Sequence, residues 1–279
     1  MPTIRYRLLN VFAETTFGGN PLAVIEDASG LSDVDMQAIA RQFNLSETTF
    51  LLPSERAAAR VRIFTPTYEM AFAGHPTLGS SHVVSALFGA GECFQLEMKA
   101  GLIPVSFEGG RWTLVANPPT YRSMQATSAE LAAMLRLPES AIAGPVMWVN
   151  CGTEQPMIPL ANVDYLQRCL PDPALMSRYS VNSDGHAKTY VFVRTPNGFE
   201  ARYFWMTGEG SVSEDPGTGS ACANLGGWWL ATQGDAPLQA QINQGAAIDR
   251  PSVLMLKVTD GQIHVGGRVI QLGAGELRW

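Results

Sequence analysis

Charge is what this sequence most lacks. Asp, Glu, Lys and Arg together make up 16% of its 279 residues, against about 25% in an ordinary soluble domain. The basic residues number 19 against 25 acidic ones, for a net charge of −6, and they are scattered along the chain. That argues against a nucleic-acid partner, since neutralising a phosphate backbone takes a clustered basic face. No run of about twenty apolar residues is present, so no membrane-spanning helix is expected. The stretch MPTIRYRLLNVFAETTFGG has no signal-peptide apolar core, and the reading is a cytoplasmic protein. Cysteine is scarce as well. Cys93, Cys151, Cys169 and Cys222 stand at neither metal-ligand nor disulfide-framework spacing. Buried free thiols in a reducing compartment are the expected state. Together with only four histidines, this leaves too few ligands at the right spacing for zinc. What is abundant is apolar surface, at 46%, which predicts a large buried fraction.

The length suits one large domain or two of about 140 residues. Residues 6–12 (YRLLNVF) read as a strand, 18–21 as a turn, and LAVIE as a second strand. Ser32 with Asp35 forms a capping-box pattern opening a helix with Met36, Ile39, Ala40 and Phe43 on one face. NLSE (44–47) ends it, and TTFLL and 59–65 are β-rich. Pro118-Pro119 reads as a linker, after which the pattern restarts. Thr127 with Glu130 is a second capping box, with a helix through Leu131, Met134 and Leu135. TYVFV (189–193) and ARYFW (201–205) read as strands. The stretch after residue 252 reads as strands around hairpin turns at Asp260-Gly261 and Gly266-Gly267. Tyr68, Tyr190, Trp205 and Met206 are candidates for lining a pocket, with core packing as the default for such residues.

Two stretches, 76–91 and 216–234, carry hardly any charge: no Asp, Glu, Lys or Arg stands in either. A helix there is apolar all round and must be buried on every side. Each follows a small-residue loop, FAGHPTLGSS in one case and SEDPGTGSAC in the other. Sliding the chain on itself by 140 residues matches Arg62 with Arg202, Phe64 with Phe204, Thr67 with Thr207, Glu69 with Glu209, Pro76 with Pro216, Gly79 with Gly219 and Ser80 with Ser220. The expectation is a duplication without a gap, with His75 and Asp215 at matching places. The alternative is two unrelated strand–turn–helix units.

A helix N-terminus exposes unpaired N–H groups and partial positive charge, so two such mouths suit a small anion, most simply a carboxylate. Gly74, Gly217 and Gly219 permit close approach; Thr77, Thr218 and Ser220 offer hydroxyls. No Lys follows the glycines, so this is neither a Walker loop nor a dinucleotide fingerprint. Three side chains are candidate proton carriers. His75 stands at the first mouth, where a structural role is the ordinary reading. Asp215 stands before the second, where plain N-capping is the alternative. Glu47 lies in the polar patch NLSETT, where a solvated strand-entry carboxylate is the alternative. Together they point to acid–base proton transfer without metal or organic cofactor.

The segments GGNPLAVI, NLSETTF, RIFTPTYEMAFAGHPTLGSS, SEDPGTGSA and QGAAIDRPS, in order within a match that runs from about Leu9 to Ser252, resemble the PhzF-like family of phenazine-biosynthesis isomerases. The resemblance implies an α+β, diaminopimelate-epimerase-like fold. Two similar lobes each wrap a β-barrel-like sheet around a central helix, with the site in the cleft between lobes. It implies an N-terminal lobe over 1–118 joined by a final strand 268–279, a C-terminal lobe over 119–267, and a homodimer. It implies cofactor-independent movement of a proton between ring carbons, by the glutamate of NLSE (Glu47). His75 and Asp215 are then catalytic partners. Asn20, Ser46, Gly74, Thr218, Gly219 and Ser220 are substrate-binding positions. The related racemases carry a cysteine at each helix mouth. Here His75 and Asp215 take those places, and Cys222 faces no thiol at His82, its repeat-mate, so a two-thiol racemase is disfavoured. Glu47 must be ionised to abstract and neutral to donate, so burial should raise its pKa.

The substrate implied is a small carboxylated, cyclic or unsaturated metabolite. A dehydratase or an epimerase using the same residues stays open, and so does a non-catalytic metabolite- or partner-binding protein of the same fold.

Overall fold

A computed structural model describes residues 3–278 of the chain. They form two compact units, one up to Val115 together with the stretch from Gly266 onward, the other Ala116–Val265. In the first, β1 (Thr3–Val11), β2 (Asn20–Ile25), α1 (Asp33–Phe43), β3 (Thr48–Leu52), β4 (Ala59–Phe64), β5 (Glu69–Met70), α2 (Gly74–Phe88), β6 (Cys93–Met98), β7 (Gly101–Glu108) and β8 (Arg111–Val115) follow in order. The second holds β9 (Thr120–Ser123), α3 (Ser128–Met134), β10 (Met147–Asn150), β11 (Glu154–Pro159), α4 (Val163–Arg168), α5 (Pro173–Tyr179), β12 (Lys188–Thr195), β13 (Gly198–Met206), β14 (Val212–Asp215), α6 (Gly219–Gln233), β15 (Leu238–Gln244), β16 (Ser252–Thr259) and all but the last two residues of β17 (Gln262–Gly267). Then β18 (Val269–Arg278) returns to the first unit and pairs antiparallel with β1, from Thr3↔Arg278 to Val11↔Val269.

Both units are wired alike. An antiparallel pair (β1–β2, β10–β11) leads through helix to a strand parallel to its second member (β3, β12). That strand turns back antiparallel into β4 or β13. The far side of β4 or β13 is shared between a short returning strand (β5, β14) and a parallel one (β6, β15). The central helix, α2 or α6, comes between these two in sequence.

The central helices are buried along most of their length, as their lack of charge predicts. Small residues set how closely the strands approach. A Cβ on Gly79 would stand 2.4 Å from Leu22 Cδ2, and one on Gly227 2.7 Å from Val149 Cγ1. Buried hydroxyls on α2 are satisfied locally: Thr77 donates to the Ala73 carbonyl at 2.7 Å, Ser81 to the Thr77 carbonyl at 2.8 Å, and Ser80 to Thr49 Oγ1 at 3.0 Å. The other helices pack separate cores. Met36, Ile39 and Ala40 of α1 join Ile25, Phe50 and Phe64. Leu131 and Met134 of α3, with Leu166 and Met176, join Ile158, Val191 and Phe204.

Both capping boxes form, on Ser32 and Thr127. Asn44, with φ 51°, closes α1 in the left-handed conformation. Asp260 and Gly261, with φ 50° and 71°, make the turn between β16 and β17. Gly266-Gly267 makes no turn; it ends β17. A Cβ on Gly267 would meet the Phe12 ring at 2.4 Å, so close packing is what keeps that residue small. Tyr190 is fully buried core, whereas Tyr68 is exposed. Of the cysteines, Cys151, Cys169 and Cys222 are buried but Cys93 is exposed.

The duplication holds in topology, but its register differs from the ungapped one. Arg62 grips Glu69 at 2.7 and 2.9 Å, its guanidinium 5.0 Å from the Phe64 ring centre. Arg202 grips Glu214, not Glu209, at 3.0 and 2.7 Å, 4.8 Å over Phe204. Phe64 pairs with Glu69 across its hairpin, and Phe204 with Glu214 across a hairpin five residues longer. The helices begin at Gly74 and Gly219. The offset is therefore 140 on β4 and β13 but 145 on β5 and β14 and at the starts of α2 and α6. His75 corresponds to Ser220, Asp215 corresponds to Met70, and the repeat-mate of Cys222 is Thr77 rather than His82. The Pro76/Pro216, Gly79/Gly219 and Ser80/Ser220 matches are not structural equivalents.

Candidate functional site

In the first unit, the parallel pairing of β2 with β3 brings the starts of both strands to one edge, with Ala23 opposite Thr48. Asn20 and Pro21 open β2 there, and Glu47 immediately precedes β3. The mouth of α2 meets them through His75. One ring nitrogen of His75 bonds the Pro21 backbone, and since proline has no N–H, the acceptor is its carbonyl. The other, Nε2, stands 3.6 Å from Glu47 Oε2. Burial pushes the His75 pKa down to about 3, against the opposing effect of the Pro21 bond. The imidazole is neutral near pH 7, so this contact is not an ion pair at that pH. With its proton committed to Pro21, Nε2 has its lone pair on the side of Glu47, and at 3.6 Å the two atoms stand close but beyond hydrogen-bond distance.

Gly74 is the first residue of α2 and is buried; the N-cap, Ala73, supplies no side-chain acceptor. Ser46 is half-buried one residue before Glu47, and Asn20 is fully buried. The helix mouth therefore lacks the capping oxygen that usually satisfies a first-turn N–H.

In the second unit, Asp215 ends β14 and is buried. It does not cap α6. The N-cap is Thr218, and its hydroxyl donates to the Asp215 carboxylate, leaving this mouth too without a side-chain cap. Gln244 locks the turn. Its Nε2 donates to the Asp215 carbonyl at 2.8 Å and to Thr218 Oγ1 at 2.9 Å, and its Oε1 accepts the Thr218 N–H at 3.3 Å. Gly245, with φ +80°, lets the next turn pass: a Cβ there would lie 2.3 Å from the Arg250 carbonyl oxygen and 2.5 Å from that of Pro216. Gly219 and Ser220 begin the helix, and Ser220 Oγ accepts a hydrogen bond from Gln155 at 3.0 Å.

The first unit thus gathers Glu47, His75, Gly74 and Asn20 at one strand edge, with Ser46 adjoining. The second gathers Asp215, Thr218, Gly219 and Ser220 at the mouth of α6. Sequence reasoning missed Gln155, Asn224 and Gln244. Asn224 carried a signal, as an amide in the middle of an uncharged helix. Gln244 opens the QGAAIDRPS segment, but nothing in its type marked it as a site residue. Burial pushes the Cys222 thiol far up and that of Cys151 up to about 12, so neither is a thiolate at neutral pH. Among the described residues, no three His, Cys, Asp or Glu side chains converge as a metal-ligand set.

The family described as "Phenazine biosynthesis-like protein" matches residues 9–273. An uncharacterised isomerase of Pasteurella multocida is 42% identical over 276 residues, covering 98% of this chain and 93% of its own. A trans-2,3-dihydro-3-hydroxyanthranilate isomerase of Pseudomonas chlororaphis is 32% identical, with 98% of each chain covered. Among solved structures, a PhzF-family phenazine biosynthesis protein of Bacillus anthracis superposes with a TM-score of 0.89 at 24% identity over the full length of both chains. A probable proline racemase of Agrobacterium radiobacter shares the fold, with a TM-score of 0.65 at 11% identity over 99% of this chain and 93% of its own. By sequence and by fold, then, this chain belongs to the phenazine biosynthesis-like (PhzF) family, a family of isomerases.

Proposed function

We propose that the protein moves a proton between carbons of a small, carboxylated cyclic metabolite, with Glu47 as the single acid–base group and no cofactor. The observation that carries this is the Glu47–His75 contact. A neutral, buried imidazole stands 3.6 Å from the carboxyl group, so a proton taken up by Glu47 gains an acceptor once the two close to hydrogen-bond distance. The duplication supports one carrier rather than two. Thr48 faces Phe64 as Thr189 faces Phe204, so the position matching Glu47 is Lys188, and that matching His75 is Ser220. Asp215, Thr218, Gly219 and Ser220 are assigned to ligand recognition at the mouth of α6, with Asn20, Ser46 and Gly74 in the same role at the mouth of α2. Relatives named trans-2,3-dihydro-3-hydroxyanthranilate isomerase make that compound the first to test. The assembly is taken as a homodimer acting in the cytoplasm, which light scattering checks as twice the 30.1 kDa chain.

The test is proton NMR in D₂O with that compound. Deuterium is expected to enter a ring C–H with the parent protein. Exchange should fall by at least ~100-fold, the low end for a lost general acid–base group, in Glu47→Gln. Exchange that persists in Glu47→Gln removes Glu47 from the mechanism. Loss of the substrate hydroxyl as water would assign dehydration instead.

A further inference from the structure

A chain of buried amides runs from the backbone of the second unit to Ser220, and each link fixes the polarity of the next. The Cys151 backbone N–H donates to Asn224 Oδ1 at 2.8 Å, while Asn224 Nδ2 donates to the Thr153 carbonyl at 2.8 Å. A backbone donor on one side and a backbone acceptor on the other permit one orientation of the Asn224 amide. Its Nδ2 also donates to Gln155 Oε1 at 2.7 Å. That fixes the Gln155 amide in turn, with Nε2 toward Ser220, where it donates to Oγ at 3.0 Å. Asn224 and Gln155 are both fully buried, whereas Ser220 is half-buried at the uncapped mouth of α6. Among the described residues, Gln155 is the one hydrogen-bond partner of Ser220 Oγ.

We propose that Gln155 is a positioning residue that makes Ser220 a hydrogen-bond donor to the ligand's carboxylate. A hydroxyl has one proton and two lone pairs. Gln155 occupies a lone pair with an N–H that cannot turn round, because Asn224 holds the other end of its amide. The Ser220 proton is thereby left to point away from Gln155. It lies beside the first-turn N–H groups of α6, which carry partial positive charge. A donor hydroxyl among such N–H groups selects an anionic acceptor and rejects an ammonium group, since both would present protons to each other. Without Gln155, the hydroxyl rotates freely and loses this bias while remaining in place. The inference rests on the reading of the α6 mouth as the carboxylate-recognising element.

The experiment measures trans-2,3-dihydro-3-hydroxyanthranilate binding by calorimetry in Glu47→Gln protein, where turnover is suppressed. Ser220→Ala is made in three backgrounds: Gln155 retained, Gln155→Met and Gln155→Glu. The second removes the donor at similar volume. The third keeps an acceptor for Asn224 and turns the end facing Ser220 from donor to acceptor. Thermal melts identify which backgrounds fold, and either one suffices. With Gln155 in place, Ser220→Ala should weaken binding about tenfold, as for a lost hydrogen bond to a charged group. In Gln155→Glu it should cost less than about twofold, because the hydroxyl donates to the carboxylate at 155 instead, and in Gln155→Met, where the hydroxyl turns freely, less than about fivefold. A full tenfold loss in all backgrounds overturns the role of Gln155 and leaves the α6 mouth as the binding element. No binding to the parent, or no effect of Ser220→Ala with Gln155 present, overturns the α6-mouth reading and this inference with it.

Discussion

His75 lies in a setting that a surface histidine never meets. Its pKa falls from 6.5 to about 3 because burial penalises the charged ring. In the unfolded chain the ring binds a proton near pH 6.5, so between 6.5 and 3 the unfolded state holds more protons than the folded one. The contribution of His75 to stability is therefore complete above about pH 6.5. It is lost progressively as the pH falls toward 3, with a slope of up to ~1.4 kcal/mol per pH unit. In His75→Gln that slope should disappear. Urea unfolding between pH 4 and 6 should show a flatter stability profile than the parent's, and parallel profiles would mean that the ring is protonated in the folded state. His82 and His264 are also lowered by burial, and they contribute equally to both proteins. The difference between the two profiles isolates His75.

At the scale of the element, the loop joining β14 to α6 depends on Gly245, which is not part of it. Placing any side chain there sets a left-handed conformation against a Cβ and drives that Cβ into two backbone carbonyls. Gly245→Ala should cost at least about 2 kcal/mol in urea unfolding. It should also disturb the bonds that Gln244 makes to Asp215 and Thr218, loosening the α6 mouth. Unchanged stability would show that the turn can relax elsewhere. The helices and strands near this loop were largely legible from sequence, because the signals are local. Ser32 with Asp35 and Thr127 with Glu130 mark helix starts, and absence of charge marks α2 and α6 as buried. The duplication was legible too, but its register was not. Five extra residues in the β13–β14 hairpin slide everything after it, and repeated Pro, Gly and Ser in loops imitate alignment where none exists. Gly266-Gly267 failed for a related reason: glycine serves both turns and tight packing, and only the Phe12 ring decides between them. Glu47 and His75 were legible as motif residues. Their contact, and the Gln155–Asn224 chain, arise where a central helix packs against strands distant in sequence, and no local pattern records that.

At the scale of the molecule, the two units differ in how the chain completes them. The second is continuous from Ala116 to Val265, whereas the first needs residues from both sides of it. The isolated 116–265 fragment should therefore unfold in one cooperative transition, followed by circular dichroism during heating. Removing residues 268–278 should do the reverse to the first unit. β1 would lose its β18 partner from Thr3 to Val11 and keep only β2, and amide exchange protection should drop across β1 and β2 while β12 and β13 keep theirs. Equal loss in both sets of strands would mean that the units do not unfold separately.

Synthesis runs in one direction, and β18 is made after the whole of the second unit. While the ribosome is still at work, the strand that carries Leu8 and Leu9 waits with one edge open, through the translation of more than half the protein. At roughly 5–20 residues per second, that interval is long beside the folding time of most single domains. The second unit can be finished while the first, begun earlier, is still incomplete. The unit that holds Glu47 and His75 is thus the last to close.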